Sequence, residues 1–205
     1  MLRNHPRTVL ILLAGGKSSR AEEIKGLRKV HNIYWIDIVL KHYLNLGLSE
    51  SFIGLGYNND QYLDKSFCLN NSTFKTNYSI NQNPANGSFS TLQTILNKAL
   101  ASQWDFALIL HIDSALATKK TIEILLKESK HSVVKPIYRG KSGHPIKLSR
   151  KLCENLVLKP KNSQLDEEMR KINKSQIFWK KVNDDTIHIN LNTKESWIDY
   201  LKRGI

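Results

Sequence analysis

Two glycines and several cations follow an apolar run near the start of the chain. The stretch LLAGGKSSRAEEIKGL, residues 12–27, contains Gly15 and Gly16. Arg20 and Lys25 come after them. Glycine lets a phosphate approach the main chain, successive N–H groups can bind an anion, and the two cations suit phosphate oxygens. The spacing fits neither a Walker loop nor a GxGxxG fingerprint, so the residues alone favour phosphate binding only somewhat over a solvated turn.

A carboxylate, Asp113, comes directly after the apolar run FALILHI. Ligands of doubly wound sheets bind beyond the carboxyl ends of the strands, so Asp113 is expected at the same edge as the glycine turn. Beside the phosphates of a nucleoside triphosphate, a carboxylate is a natural Mg²⁺ ligand, because magnesium prefers oxygen donors. The structural alternative is a helix cap, since the following stretch DSALATKKTIEILL is able to begin a helix.

The strands that would position these residues are predicted from apolar runs that alternate with helical patterns. This alternation indicates an α/β fold with a mostly parallel sheet flanked by helices. Neither a repeat nor a break in composition divides the chain, so we expect a single domain over residues 1–205. Strands are predicted at residues 8–13, 51–56, 106–112 and 132–138, and near 177–182 and 186–191.

Helices are predicted where apolar residues recur with a period near 3.6. Ile36 to Leu44 follow this pattern, and Gly47 is expected to end that helix. The segment 60–80 has too little periodicity for its elements to be placed. Further helices are predicted around residues 92–100, 122–126, 148–156 and 165–172.

Composition limits the classes of protein to be considered. The 205 residues are 40% hydrophobic, and no apolar run approaches the length needed to span a bilayer. Cys68 and Cys153 lack a short spacing, which favours buried thiols in a reducing cytoplasm over a disulfide or metal site. The net charge of +13 suits an acidic partner, but its dispersal along the chain argues against an arm for nucleic acid.

Several motifs, in order along most of the chain, resemble those of the MobA/MocA-like nucleotidyltransferases. The first, LAGGKSSRAEEIKGL, is similar to LAGGxSxRMGxxKxL, and the order of the motifs is more specific than any one of them. The others are GYNND at 56–60, NPANGSFSTL at 83–92, LILHIDSAL at 108–116, PIYRGKSGHPIKLS at 136–149 and INLNTKESW at 189–197.

The resemblance implies a fold, an activity and a set of site residues. The fold is a Rossmann-like three-layer αβα sandwich of the nucleotide-diphospho-sugar transferase type. The activity is Mg²⁺-dependent transfer of a nucleoside monophosphate group from a nucleoside triphosphate to a phosphorylated acceptor, with release of pyrophosphate. The implied nucleotide-binding residues are Leu13, Ala14, Gly15, Gly16, Lys25, Asn83 and Asp113. Catalysis is assigned to Arg20, Lys25 and Asp113, and acceptor binding to Gly140, Gly143 and His144.

The second metal ligand is implied to be Asn190 or Asn192. An amide oxygen can ligate Mg²⁺ without cancelling its charge. The alternative is structural, because Asn192 and Glu195 have the spacing of a capping box before a helix. A structural role is the alternative for His144 as well, although Gly140, Gly143 and a proline surround it just after a predicted strand.

The substrates implied by the resemblance are a nucleotide and molybdopterin. LAGG accompanies guanylyl transfer and GKSGHP resembles the cytidylyl branch, so GTP is only narrowly favoured over CTP. Sugar phosphates are the alternative acceptors. Departures from the family at Ala21, Glu22, Ala115 and Lys194 raise a second hypothesis, a divergent nucleotide-binding or regulatory protein with weak catalysis. RNA binding is a distant third hypothesis and would show a steep dependence of affinity on salt.

Overall fold

The computed structural model describes residues 6–18 and 23–204, and Arg20, Ala21 and Glu22 lie outside the described residues. The strands are β1 (Thr8–Ala14), β2 (Lys29–Val30), β3 (Ile33–Tyr34), β4 (Ser51–Leu55), β5 (Thr76–Ile80), β6 (Phe106–His111), β7 (Val133–Tyr138), β8 (Lys141–Ser142), β9 (Ile146–Ser149) and β10 (Ile177–Lys181). The helices are α1 (Trp35–Asn45), α2 (Asn59–Lys65), α3 (Phe67–Asn70), α4 (Ser88–Ala99), α5 (Lys119–Lys127), α6 (Arg150–Val157), α7 (Leu165–Arg170) and α8 (Lys194–Leu201).

An eight-stranded mixed sheet forms the middle layer. Its strand order is β10-β7-β9-β6-β1-β4-β5, and β8 pairs with β7 beside this path. Strands β6, β1, β4 and β5 are parallel neighbours, as are β7 and β10. Strand β9 runs antiparallel between β6 and β7. The structure therefore confirms the predicted α/β class with a mostly parallel, Rossmann-like sheet.

Helices cover both faces of the sheet, which explains why its central strands are apolar along most of their length. All seven residues of β1 are buried, as expected for a parallel strand between two helical layers. Leu10 and Leu12 pack into a core that includes Trp35 of α1 and Ile122 of α5. The alternate residues of β1 pack on the opposite face, in a second core with Leu92 of α4. This arrangement gives the three layers that the family resemblance implied.

Most of the predicted elements are confirmed. The helix predicted from Ile36 ends before Gly47, as expected, and the φ of Gly47 is +94°. The strand expected at 186–191 is wrong, because Asp185–His188 form a 3-10 turn. Residues 186–191 show the alternating apolar pattern of a strand because Ile187 and Leu191 are buried where this segment passes the ends of the strands. The helix expected around 148–156 begins only at Arg150, since Leu148 belongs to β9. The segment left unplaced contains α2, α3 and most of β5.

Both cysteines are buried free thiols, as the sequence predicts. Burial, with Asp37 nearby, raises the pKa of Cys68 to about 12. Burial also raises the pKa of Cys153. Neither thiol is therefore a nucleophile near neutral pH. Among the described residues, no helix is both long and apolar enough to cross a bilayer.

Candidate functional site

The glycine turn after β1 is packed against its neighbours without room for a side chain at Gly15. A Cβ on Gly15 would lie 2.7 Å from Thr91 Oγ1, and one on Gly56 would lie 2.7 Å from the Gly15 carbonyl oxygen. Gly16 has open space around it. The left-handed residue of this turn is Ser18, with φ of 56°, and neither glycine has a positive φ. Close packing, and not a left-handed backbone conformation, is thus the reason for Gly15.

Lys25, Asp113 and Asn192 meet at the carboxyl edge of the sheet. The Lys25 ammonium donates to Asp113 Oδ2 at 2.9 Å and also donates to Asn192 Oδ1. The Lys25 and Asp113 side chains are 16% and 26% exposed, so the ion pair is shielded but still open to a ligand. Three residues that are far apart in sequence therefore form one cluster, at the place where the sequence predicts phosphate and metal binding.

The structural alternatives for the two proposed metal ligands are wrong. Thr118, not Asp113, caps α5, and it accepts a hydrogen bond from Thr121 N. Thr193 and Ser196 form the capping box of α8, which leaves the Asn192 side chain for Lys25. Asn190, the other residue considered, is exposed and its backbone forms a bridge with Ser114.

The donor set fits a magnesium ion. Asp113 Oδ2 and Asn192 Oδ1 already converge on one cation, the Lys25 ammonium, and both are the oxygen donors that Mg²⁺ prefers. No group of three or more His, Cys, Asp or Glu suitable for a metal occurs among residues 6–18 and 23–204. Magnesium is commonly bound through one or two carboxylates together with substrate phosphates.

Two adjoining cavities open at this edge. The smaller, about 170 Å³, lies over the glycine turn and includes Lys25 and Asp113. The larger, about 590 Å³, lies towards β7 and includes His144 and Lys135. Both are lined by Gly87, Ser88 and His111, so the start of α4 separates them. Among the described residues no side chain caps the N-terminus of this 12-residue helix, and N–H groups at the start of a helix favour an anion.

Histidines face each other in the larger cavity. The rings of His111 and His144 have centroids 5.8 Å apart. Burial, followed by repulsion from His111, lowers the pKa of His144 to about 4. Burial is also the main cause that lowers the pKa of His111. Both rings are therefore neutral at pH 7 and offer hydrogen bonds without adding charge.

The predicted acceptor residues lie in different surroundings. Gly143 and His144 line the larger cavity, but a Cβ on Gly143 would lie 2.2 Å from the Ile187 carbonyl oxygen. The backbone N–H of His144 donates to the same oxygen at 2.9 Å. Gly143 is thus required for packing against Ile187, whatever else it does. Gly140 lies in the exposed turn between β7 and β8, with φ of 79°.

The predicted nucleotide-binding residue Asn83 is exposed and sits at the start of a 3-10 turn. Its backbone N–H donates to the buried side chain of Asn81, which in turn donates to Ser90 and Thr91. Asn81 and Thr91 therefore hold the NPANGS turn and the glycine turn together. Sequence reasoning missed both residues, because Asn81 follows β5, a strand in the segment that the sequence did not place.

Comparison with known proteins identifies the family. A sequence profile of the MobA-like NTP transferase domain matches residues 10–176. A search of curated proteins gave no significant match. The profile runs from within β1 to the residue directly before β10, and so includes the glycine turn, Asp113 and the His144 loop.

Solved structures share the fold at low sequence identity. A nucleotidyl transferase from Methanothermobacter superimposes with a TM-score of 0.76 at 16% identity, covering 97% of this chain and 99% of that one. Rv0371c of Mycobacterium tuberculosis H37Rv, in a complex with manganese, gives 0.72 at 14% identity over 96% and 98%. A Bacillus anthracis protein provisionally assigned as a glucose-1-phosphate thymidylyltransferase, in complex with sucrose, gives 0.75 at 15% identity over 97% and 96%.

Proposed function

The chain belongs to the MobA-like NTP transferase family, and we propose that it transfers a nucleoside monophosphate group from a nucleoside triphosphate to a phosphorylated small molecule. The observation that carries this proposal is the meeting of Lys25, Asp113 and Asn192 below the glycine turn. A mobile cation and two oxygen donors beside a tightly packed glycine turn suit a triphosphate and its divalent metal.

The triphosphate is proposed to lie in the smaller cavity. Gly15 and Gly16 border it with main chain, and Lys25 supplies a cation at its floor. The free N–H groups at the start of α4 face the same space through Gly87 and Ser88. Negative charge that develops on the leaving pyrophosphate is stabilised by such fixed donors, which is the main contribution that a protein makes to phosphoryl-type transfer.

Magnesium is the proposed metal, with Asp113 and Asn192 as its protein ligands. Bound there, it would neutralise phosphate charge. Lys25 now occupies the oxygens that the metal would take, so nucleotide binding is expected to draw the ammonium towards the phosphates. The neighbouring structure of Rv0371c contains manganese, which supports a divalent ion in this fold.

The acceptor is proposed to enter the larger cavity. An oxygen of its phosphate attacks the α-phosphorus in line, the bond from that phosphorus to the β-phosphate oxygen breaks, and pyrophosphate leaves. No base is needed, because the attacking phosphate is already an anion at neutral pH. His144, neutral at pH 7, and Lys135 would orient that phosphate, since both line the cavity.

The specific substrates proposed are GTP and molybdopterin, on the strength of the motif resemblance. The LAGG form at 13–16 favours guanylyl over cytidylyl transfer. A sugar phosphate is the alternative acceptor, and the fold shared with the Bacillus anthracis protein is consistent with it.

The test is pyrophosphate release from each of the four nucleoside triphosphates with Mg²⁺, with and without molybdopterin and a panel of sugar phosphates. We expect release to depend on one acceptor and to fall by roughly a hundredfold or more in Asp113→Asn, as for loss of one electrostatic contact in the transition state. Asp199→Asn, at an exposed residue of α8, is the matched control and should leave the rate unchanged.

Three results would count against the proposal. Equal rates in Asp113→Asn and the wild type would remove Asp113 from the site. Nucleotide binding in calorimetry without pyrophosphate release from any acceptor would favour the weakly catalytic nucleotide-binding protein. Absence of nucleotide binding would overturn the role of the glycine turn.

A further inference from the structure

A third cavity adjoins the proposed acceptor cavity on its far side from the nucleotide. It has a volume of about 370 Å³ and lies between α7, the segment after it and the edge strand β10. Lys135 and Asp166 line both cavities, so the two adjoin each other. We call this third cavity the distal crevice; its other lining residues are Met169, Arg170, Ile172, Lys174, Ile177 and Trp179.

The register of the sheet places a tryptophan next to the acceptor cavity. Trp179 of β10 is the direct partner of Lys135 in β7. Paired residues in neighbouring strands project from the same face of the sheet, so the Trp179 ring continues the face on which Lys135 meets the acceptor. Trp179 is 43% exposed, whereas Trp35, Trp104 and Trp197 are buried.

The charge of the distal crevice is positive. Lys135, Arg170 and Lys174 contribute three cations, and Asp166 contributes one carboxylate. Within residues 6–18 and 23–204, none of these cations forms an ion pair within 4.0 Å. Cations that are not neutralised by the protein, beside an exposed aromatic ring, suit a ligand that is both flat and anionic.

We propose that the distal crevice binds the part of the acceptor that lies beyond its reacting phosphate, and that this part is a planar ring carrying a second anionic group. The ring would stack on Trp179, with Ile172 and Ile177 below it, and the anion would contact Arg170 and Lys174. This inference rests on the proposed function for the acceptor cavity. A simple hexose phosphate has neither a planar ring nor a second anion, so the crevice selects against it.

The first test measures binding in the crevice without requiring turnover. The probe is 2-naphthoate, a flat anion that carries a carboxylate and no phosphate. Binding is read from the indole N–H resonance of Trp179 in a ¹⁵N–¹H spectrum, assigned by its loss in Trp179→Phe. We expect a saturable shift with 2-naphthoate, and a weaker one with cyclohexanecarboxylate, which has no aromatic ring, and with 2-naphthol, which has no charge at neutral pH.

Charge variants supply the control. The double variant Arg170→Gln/Lys174→Gln should weaken 2-naphthoate binding by roughly tenfold, the value of a charged contact of about 1.4 kcal/mol. Lys180→Gln removes one cation from β10, the strand that contains Trp179. The Lys180 ammonium lies over Phe178, so its side chain points to the face of the sheet opposite to Trp179. The substitution should leave binding unchanged.

The outcomes separate this inference from the proposed function. No shift at Trp179, equal binding of cyclohexanecarboxylate, or equal weakening by Lys180→Gln would overturn the distal crevice as a site for a flat anion. Binding of 2-naphthoate together with absence of nucleotidyl transfer would leave the crevice standing and overturn the transfer. If transfer is found, Trp179→Ala should raise KM for the acceptor by roughly tenfold with little change in kcat, and an unchanged KM would overturn the link between crevice and acceptor.

Discussion

Lys25 forms the contact on which the proposed mechanism most depends, because its ammonium holds the two oxygens assigned to the metal. In nucleotide-free protein the ammonium and a divalent ion compete for Asp113 and Asn192. Two unit charges about 4 Å apart interact by roughly 4 kcal/mol at an effective dielectric constant of 20. The lysine is therefore expected to oppose metal binding until a triphosphate draws it away.

The substitution Lys25→Met should accordingly have two opposite effects. Mn²⁺ binding to nucleotide-free protein, measured by electron paramagnetic resonance, should tighten by about tenfold or more, since a competing charge is removed. Turnover with nucleotide should fall by roughly a hundredfold, since a contact to the phosphates is lost. Lys29→Met, at an exposed residue of β2, is the matched control and should change neither. Weaker Mn²⁺ binding in Lys25→Met would contradict the competition.

At the scale of elements, Asp184 connects the start of α5 to the 3-10 turn Asp185–His188, which comes directly after it in the chain. Its carboxylate accepts hydrogen bonds from the N–H and hydroxyl of Thr118 and from the N–H and hydroxyl of Thr186. Burial alone would raise the pKa of Asp184, but these hydrogen bonds lower it. In the 3-10 turn that Asp184 holds in place, the Ile187 carbonyl accepts a hydrogen bond from the His144 N–H.

The substitution Asp184→Asn is predicted to destabilise the protein by about 2–4 kcal/mol. An amide has one oxygen and one NH₂ group, so two of the four donors would lose their acceptor at a partly buried position. Urea unfolding measures the loss. Asp185→Asn is the control, because Asp185 is exposed and, among the residues that the structure describes, pairs only with Arg203. A loss no larger than that of Asp185→Asn would show that Asp184 does not hold the turn.

The elements most easily predicted from sequence were those that the core determines. Strands β1 and β6 are apolar except at Thr8 and His111 because helices cover both faces, and this pattern can be recognised without a structure. Strand β9 was missed because its four residues follow a loop and continue directly into α6, whose apolar spacing includes Leu148. Short antiparallel insertions leave too few residues for a period to be recognised.

The site was predictable only where a motif marked the residue. Lys25 and Asp113 stand in motifs, and the structure brings them together. Asn192 was ambiguous in sequence, because hydrogen bonding to a lysine and capping a helix require the same residue type. Lys135 and Trp179 carried no sequence signal, since only the pairing of β7 with β10 places them side by side.

At the scale of the whole molecule, the order of the strands determines which segments meet at one edge of the sheet. This order brings two histidines together, and their burial makes the stability of the protein depend on pH. Strands β6 and β7 flank β9, so His111 at the end of β6 and His144 in the segment that leads into β9 come together at the edge of the sheet. Lys135 and Asp166 act on His144 as well, the lysine lowering and the carboxylate raising its pKa. Burial outweighs both, and the pKa of His144 is about 4.

The free energy of unfolding should therefore fall as the pH falls below that of an ordinary histidine. Between pH 6.5 and about 4 the unfolded chain takes up a proton at His144 that the folded protein excludes, so protonation favours unfolding. Above pH 6.5 both states are neutral and this penalty disappears. A difference of this size in pKa corresponds to about 3 kcal/mol at the acid end of the range.

Urea unfolding of the metal-free protein at a series of pH values measures this dependence. The substitution His144→Asn should flatten the curve between pH 6.5 and 4 relative to the wild type, because the excluded proton is gone. His31→Asn, in the exposed turn between β2 and β3, provides the control and should leave the slope as it is. An unaltered slope in His144→Asn would mean that His144 accepts its proton in the folded state, and the acceptor cavity would then carry a positive charge near pH 6 in place of a neutral ring.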